Sequence, residues 1–188
     1  AAYIAARGDV WAAASQDYDS LLFGAPRLVR NLTISGRRKL PRREAYVELE
    51  PELVELHHTL TELKLTREQL VDLGILVGTD FNPSGIEGIG PRKALKLLKE
   101  HGNLQGVMRS LEKAENREDI SAIRRIFLEP NVSRDYKLEW RRPSLDKVVR
   151  FLCADRDFSE ERVKNAIERM ISGVRREAEK TTLDVFLG

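Results

Sequence analysis

The chain has 188 residues, 41% hydrophobic and 33% charged, a balance that describes a folded globular protein and excludes a disordered or collagen-like chain. One cysteine, Cys153, excludes an intrachain disulfide, and three histidines leave little for a histidine-built metal site. The net charge of +2 hides a basic stretch, residues 24–43, with seven Arg and Lys and no acid, which leaves −5 for the rest of the chain.

Residues 1–7 read as the end of a helix, and an opening of Ala1-Ala2-Tyr3 reads as helix interior, so further chain is expected upstream. Gly8-Asp9 is a turn. Val10 to Ala14 is a short apolar run whose length and flanking turn predict a buried strand. Asp17-Tyr18-Asp19 follows it, then the apolar run Leu21-Leu22-Phe23, broken by Gly24-Ala25-Pro26. Arg27 to Ser35 predicts a second strand, Ser35-Gly36 a hairpin turn, and Lys39 to Val47 the return strand. Residues 44–56 hold five glutamates and no base. From Leu53 onward the chain predicts helices. Thr66-x-x-Gln69 is a capping box that opens a helix through Leu70, Leu73 and Val77, and Gly78 closes it. After a glycine-rich turn comes a helix from Pro91 to about His101, then helices over 103–113 and 117–128. Residues 129–143 read as irregular. Ser144 caps a helix with Leu145, Val148, Val149 and Leu152 on one face. Ser159 caps the last helix, whose buried stripe is Val163, Ala166, Ile167, Met170, Ile171 and Val174. Trp11 and Trp140 read as packing residues. No apolar run nears the ~20 residues of a membrane span, and no signal peptide is seen, so an intracellular setting is expected.

Four groups of residues could carry chemistry. Asp17 and Asp19 lie just past the carboxyl end of a strand, where open α/β sheets bind ligands. Two residues apart, they either converge on a hard cation such as Mg²⁺ or accept backbone hydrogen bonds in a turn. Asp80 follows the Gly78 cap and, taken alone, is a loop aspartate. Gly88-Ile89-Gly90-Pro91 opens a helix whose Arg92, Lys96 and Lys99 recur along one side. Free amides there suit a phosphate, and the glycines admit a close surface. This is the chemistry of a helical hairpin gripping a duplex backbone, or else of a plain hairpin with a charged face. The basic stretch likewise suits a polyanion or a solvated hairpin. In the terminal segment Leu183, Phe186 and Leu187 share one side of a helical turn. That pattern fits a groove on another protein or packing back on the chain's own domain.

Taken together these segments resemble the flap endonuclease family in its archaeal form. The phrases that carry the resemblance run from Trp11 to Gly24, from Leu76 to Pro83 and from Gly88 to Ala94, with Arg150 to Cys153 and Asp157 to Val163 in support. They span essentially the whole chain in the family's order. The resemblance implies a structure-specific 5′ flap endonuclease and 5′-3′ exonuclease of DNA replication and repair, with two Mg²⁺ ions held by carboxylates. Asp17 and Asp19 would bind one ion and Asp80 would support it through water. The glycine turn resembles the family's helix–two-turn–helix, with the carbonyls of Ile86 and Ile89 facing a K⁺ ion and with Gly88, Gly90, Arg92, Lys93, Lys96 and Lys99 against DNA. The tail resembles a sliding-clamp-binding box anchored by Leu183, Phe186 and Leu187, though Lys180 stands where that box has glutamine and Leu187 replaces an aromatic. The family's other carboxylates and its helical arch would lie upstream of Ala1, so this chain alone is expected to bind DNA without cutting it.

The expected fold is α/β, an incomplete parallel-type sheet with a short β-hairpin followed by a helical duplex-binding region. Residues 1–52 would form the end of the nuclease core, 53–176 the duplex-binding region and 177–188 the clamp-binding tail. The expected partners are 5′-flap and nicked duplex DNA and a sliding clamp, with no membrane and no small-molecule cofactor. The alternative function is a non-catalytic duplex-binding module with a clamp-binding tail.

Overall fold

A computed structural model of the chain describes residues 1–32, 36–39, 46–111, 117–139, 141 and 143–187. It divides into two compact units, Ala1–Tyr136 and Lys137–Gly188.

The first unit begins with helix α1 (Ala2–Ala6), whose Ala2 and Ala5 pack on Ala13 and Ala25 in a cluster of small side chains. Strand β1 is only Ala13–Ala14, paired in parallel with Leu28 and Val29 of β2 (Arg27–Arg30). The strand expected from Val10 shortens because the residues before Ala13 pair with no strand. Trp11 is 62% exposed instead of packed, with the Arg27 guanidinium 5.3 Å from its ring. Helix α2 (Asp19–Leu22) connects the two parallel strands. β2 stops at Arg30, short of the expected Ser35, where Asn31 turns to φ +57°.

β2 also pairs antiparallel with β5 (Glu52–Glu55), in a region expected to be turning helical. Register explains the difference. It sets Arg27 against Glu55 and Arg30 against Glu52, with side-chain distances of 3.6 and 2.9 Å. Opposite charges facing across strands favour the pairing. The basic and acidic runs therefore partly neutralise each other within one sheet. A second ribbon pairs β3 (Gly36–Lys39) with β4 (Tyr46–Leu49), with Arg37 opposite Glu48 in register. Gly36 opens a strand where a hairpin turn was expected. Ser35 lies outside the described residues.

Helix α3 (Leu56–Leu63) follows β5 directly. The capping box forms in full at α4 (Arg67–Val77): Thr66 Oγ1 accepts from the Gln69 amide, and Gln69 Oε1 accepts from the Thr66 amide. Such a cap is worth about 1 kcal/mol. The helix runs through Leu70, Leu73 and Val77 as expected; Leu70, Val71, Asp72, Ile75 and Leu76 are its buried set, and Leu73 and Val77 pack partly buried against the same core. Helices α5 (Pro91–His101), α6 (Leu104–Ser110) and α7 (Arg117–Leu128) complete one core around Val71, Ile75, Leu76, Leu98, Val107 and Phe127.

In the second unit, α8 (Leu145–Val149) runs on into a π-helical turn, Arg150–Ala154, and α9 spans Glu160–Leu187. Ser144 caps α8 without a side-chain hydrogen bond. The stripe of α9 is narrower than expected: Val163 and Ile167 are buried, whereas Met170 is exposed. Ala166 is exposed as well. The terminal segment belongs to the backbone of α9 and does not follow it. The side chains of Val174, Leu183, Phe186 and Leu187, and all of Trp140, lie outside the described residues. No described helix is long and apolar enough to cross a membrane.

Candidate metal centre and nucleic-acid interface

The loop after β1 carries the first two carboxylates. The Ser15 amide donates to the Val29 carbonyl at 3.1 Å and so extends the ladder by one residue. Ser15 Oγ then accepts from the Asp17 amide at 3.1 Å, which starts the turn. Asp17 is exposed, and Asp19 is half-buried at the first position of α2. From β2, Arg30 reaches over this loop. Its Nε donates to the Gln16 carbonyl at 3.0 Å, its Nη1 donates to Glu52 at 2.9 Å and to the Tyr18 hydroxyl, and its guanidinium lies 4.1 Å from the Tyr18 ring centroid.

Asp80 arrives on a separate turn. Gly78 closes α4, and Thr79 and Asn82 exchange backbone hydrogen bonds at 3.0 and 3.3 Å. Asn82 locks this turn from within. Its Oδ1 accepts from the Thr79 hydroxyl at 2.6 Å, and its Nδ2 donates to the Ile75 carbonyl at 2.7 Å. The Asp80 side chain is left exposed at the turn's tip.

The two turns meet. Burial first, then the like charges of Asp80 and Asp17, push the Asp19 carboxyl above its usual value. Repulsion of this kind between carboxylates is relieved by a cation, and oxygen donors suit a hard divalent ion. The donor chemistry is that of divalent-cation ligands. Among the described residues, however, no three His, Cys, Asp or Glu side chains are placed to hold one ion between them. Asp17 and Asp19 line an open cavity of about 980 Å³, together with Phe23, Arg67, Arg125 and Arg134. Asp80 is not on its wall.

An aromatic chain lies behind the two turns. Phe127 is fully buried, with Phe23 at 4.8 Å and Phe81 at 5.5 Å between ring centroids. Phe23 follows the helix that starts at Asp19, and Phe81 follows Asp80. The Arg67 Nη2 donates to the carbonyls of Leu22 (3.1 Å) and Phe127 (2.9 Å), joining the ends of α2 and α7. A Cβ on Gly24 would come within 2.9 Å of the Arg67 Nε, so this corner needs glycine.

The glycine-rich turn continues from the Asp80 turn. The Ile86 amide donates to the Leu76 carbonyl at 2.9 Å, and the Ile86 carbonyl accepts from the Ile89 amide at 3.0 Å. Gly88 holds φ +76°, a region open to glycine at little cost. Gly90 is the N-cap of α5, with Pro91 at the first helical position, and a Cβ built on it meets nothing within 4 Å. Arg92, Lys93, Lys96 and Lys99 are all exposed, while Ala94 and Leu98 face the core. Lys93 Nζ bends back to the Gly88 carbonyl at 3.1 Å, and Lys96 pairs with Glu100 at 3.7 Å.

Sequence reasoning missed Arg30, Arg67, Asn82 and Phe127. Arg30 was visible only as one member of a charge run. Asn82, placed three residues after Thr79, carried the best local signal, because asparagine readily closes turns.

Over residues 1–80 the chain matches the XPG I-region family. It is 54% identical over 175 residues to flap endonuclease 1 of Staphylothermus marinus, covering 93% of this chain and 50% of that protein. It is 51% identical over 189 residues to flap endonuclease 1 of Pyrococcus abyssi, covering 100% and 53%. The chain belongs to the flap endonuclease family. The solved structure of flap endonuclease-1 from Methanococcus jannaschii matches it with a TM-score of 0.73 at 37% identity, over 94% of this chain and 50% of that one. The catalytic core of Rad2 in complex with DNA substrate shares the fold, with a TM-score of 0.63 at 19% identity over 88% and 57%. The mixed α/β, largely helical architecture of flap endonucleases is thus present. The chain spans about half the length of the curated relatives it matches.

Proposed function

We propose that this chain supplies one carboxylate cluster and the duplex grip of a structure-specific 5′ flap endonuclease acting in DNA replication and repair. The observation that carries this reading is the continuous turn 78–90. It carries Asp80, whose charge is felt at Asp19, at one end and opens α5 at Gly90-Pro91, beside Arg92 and Lys93, at the other. A duplex held at α5 would bring its backbone into register with the carboxylates. Asp17 and Asp19 would hold a divalent ion directly and Asp80 through water. Bound there, Mg²⁺ would favour attack of water on the phosphodiester and neutralise the leaving oxygen. The residues of this chain orient that site, while Arg92, Lys93, Lys96 and Lys99 neutralise phosphates. The turn 78–90 with its two flanking helices is the helix–two-turn–helix of this reading, and the carbonyls of Ile86 and Ile89 would face K⁺. The functional division runs 1–52, 53–176 and 177–188, and the tail docks a sliding clamp through Leu183, Phe186 and Leu187. DNA as the partner implies an intracellular setting. Rad2, which shares the fold, has been solved with DNA.

A second reading, duplex binding without catalysis, describes this chain taken by itself, because no described set of three ligands converges on one ion. Binding of a nicked duplex in EDTA over a salt series tests both. Salt-sensitive binding is expected, and Arg92→Ala should reduce the slope of log K against log salt by about one. Gly90 has an ordinary φ of −92° and open space around it, so Gly90→Ala should weaken binding while the melting temperature holds. Binding indifferent to both variants overturns the grip. Asp17-dependent flap cleavage by this chain in Mg²⁺ overturns the half-site argument.

A further inference from the structure

Asp17 and Asp19 stand two residues apart at the wall of one open cavity, with the like charge of Asp80 felt at Asp19, and the stretch leading into them has few backbone bonds of its own. Among the described residues, its ties ahead of α2 are the Ser15 amide to the Val29 carbonyl and the Asp17 amide to Ser15 Oγ, and the Tyr18 and Asp19 carbonyls then accept from the Leu21 and Phe23 amides at 2.9 Å as the helix starts. Repulsion should splay such a loop. We propose that Arg30 is the positioning residue that braces it, acting through Tyr18 and the Gln16 carbonyl; this rests on the metal-binding reading above.

The brace has three parts. Nε donates to the Gln16 carbonyl, the peptide group that leads into Asp17, at 3.0 Å. The guanidinium plane covers the ring of Tyr18, the residue between the two aspartates, at 4.1 Å. Nη1 binds Glu52 of β5 at 2.9 Å, which anchors the arginine to the sheet. None of its recorded bonds goes to Asp17 or Asp19, so both carboxylates keep their lone pairs for a cation. A planar fork that stacks and donates at once is a property of arginine that lysine lacks, although lysine keeps the charge.

Arg27 is a built-in control. It lies on the same strand, sits 5.3 Å from the Trp11 ring, donates to the Trp11 carbonyl at 3.3 Å and pairs with Glu55 at 3.6 Å. It braces the segment before β1 and so touches nothing that carries the carboxylates.

The test is Mn²⁺ titration of this chain, read as the loss of the free-ion paramagnetic resonance signal, beside melting temperatures in EDTA. Wild type should bind Mn²⁺, and Asp19→Asn should abolish that binding. Arg30→Lys and Tyr18→Leu should each weaken it roughly tenfold, the lower end of what outer-sphere partners contribute to metal affinity. Their double variant should be no weaker than either alone, because one brace is removed once. Tyr18→Phe keeps the ring and should stay near wild type, and so should Arg27→Lys. If Arg30→Lys lowers the melting temperature and leaves Mn²⁺ affinity untouched, Arg30 is merely structural and the proposal falls. It falls equally if Arg27→Lys weakens Mn²⁺ as much as Arg30→Lys does. A wild type that binds no Mn²⁺ removes the metal reading itself, and the brace with it.

Discussion

Asp19 shows what a half-filled carboxylate site does to its own fold. Its carboxyl is held above the usual value by burial, then by Asp80 and Asp17, so the folded chain binds that proton more tightly than the unfolded chain does. The stability tied to this proton is complete below the unfolded value and is lost as pH rises through the folded value. At neutral pH the full cost stands. Asp80→Asn removes one of the repelling charges. It should therefore raise the urea midpoint of the chain in EDTA at neutral pH, and the gain should vanish below the carboxylate range. A variant that is no more stable at neutral pH would show that the two turns do not sense each other. The residue types of the site were readable, but their partners were not. Asp17 and Asp19 announce themselves by spacing and Asp80 by resemblance alone. Arg30 and Phe127 lie 13 and 110 residues from Asp17 along the chain, where only tertiary contact reveals a role.

At the scale of elements, local chemistry predicted helices better than strands. The capping box at Thr66 and the Gly90-Pro91 start of α5 are signals carried within one turn, and both helices begin where those signals place them. β1 and β5 exist because β2 lies between them, a fact of register that no local pattern holds. Helix α4 holds one residue whose role no local pattern shows. Asp72 breaks its apolar pattern yet is completely buried, because Arg124 Nε donates to its Oδ1 at 2.6 Å and the Leu104 amide to its Oδ2 at 3.1 Å. One carboxylate thus joins α4, the start of α6 and α7. Arg124→Ala would leave a buried charge with one hydrogen bond and should cost about 3 kcal/mol in urea unfolding. A loss under about 1 kcal/mol would mean that water replaces the arginine at no penalty.

Over the whole molecule the two units differ in how much core they own. The first holds the cluster built from α4 to α7. In the second, Val163 and Ile167 are the buried residues among those described. Local opening follows buried apolar contact, so amide exchange should be slowest in α4 and α5 and faster by orders of magnitude in α8 and the π-helical turn. Equal protection in both units would mean that they unfold as one.

The three-phenylalanine chain has a consequence for how such a sequence can drift. Phe23, Phe81 and Phe127 come from three distant stretches, and each touches the next through one ring edge or face. A smaller side chain at 127 leaves both neighbours loose, and a larger one pushes both carboxylate turns apart. Viable histories at these positions therefore proceed by paired substitutions, so residue 127 should covary with residues 23 and 81 among related chains, with the history of the carboxylate turns written in residues that carry no charge.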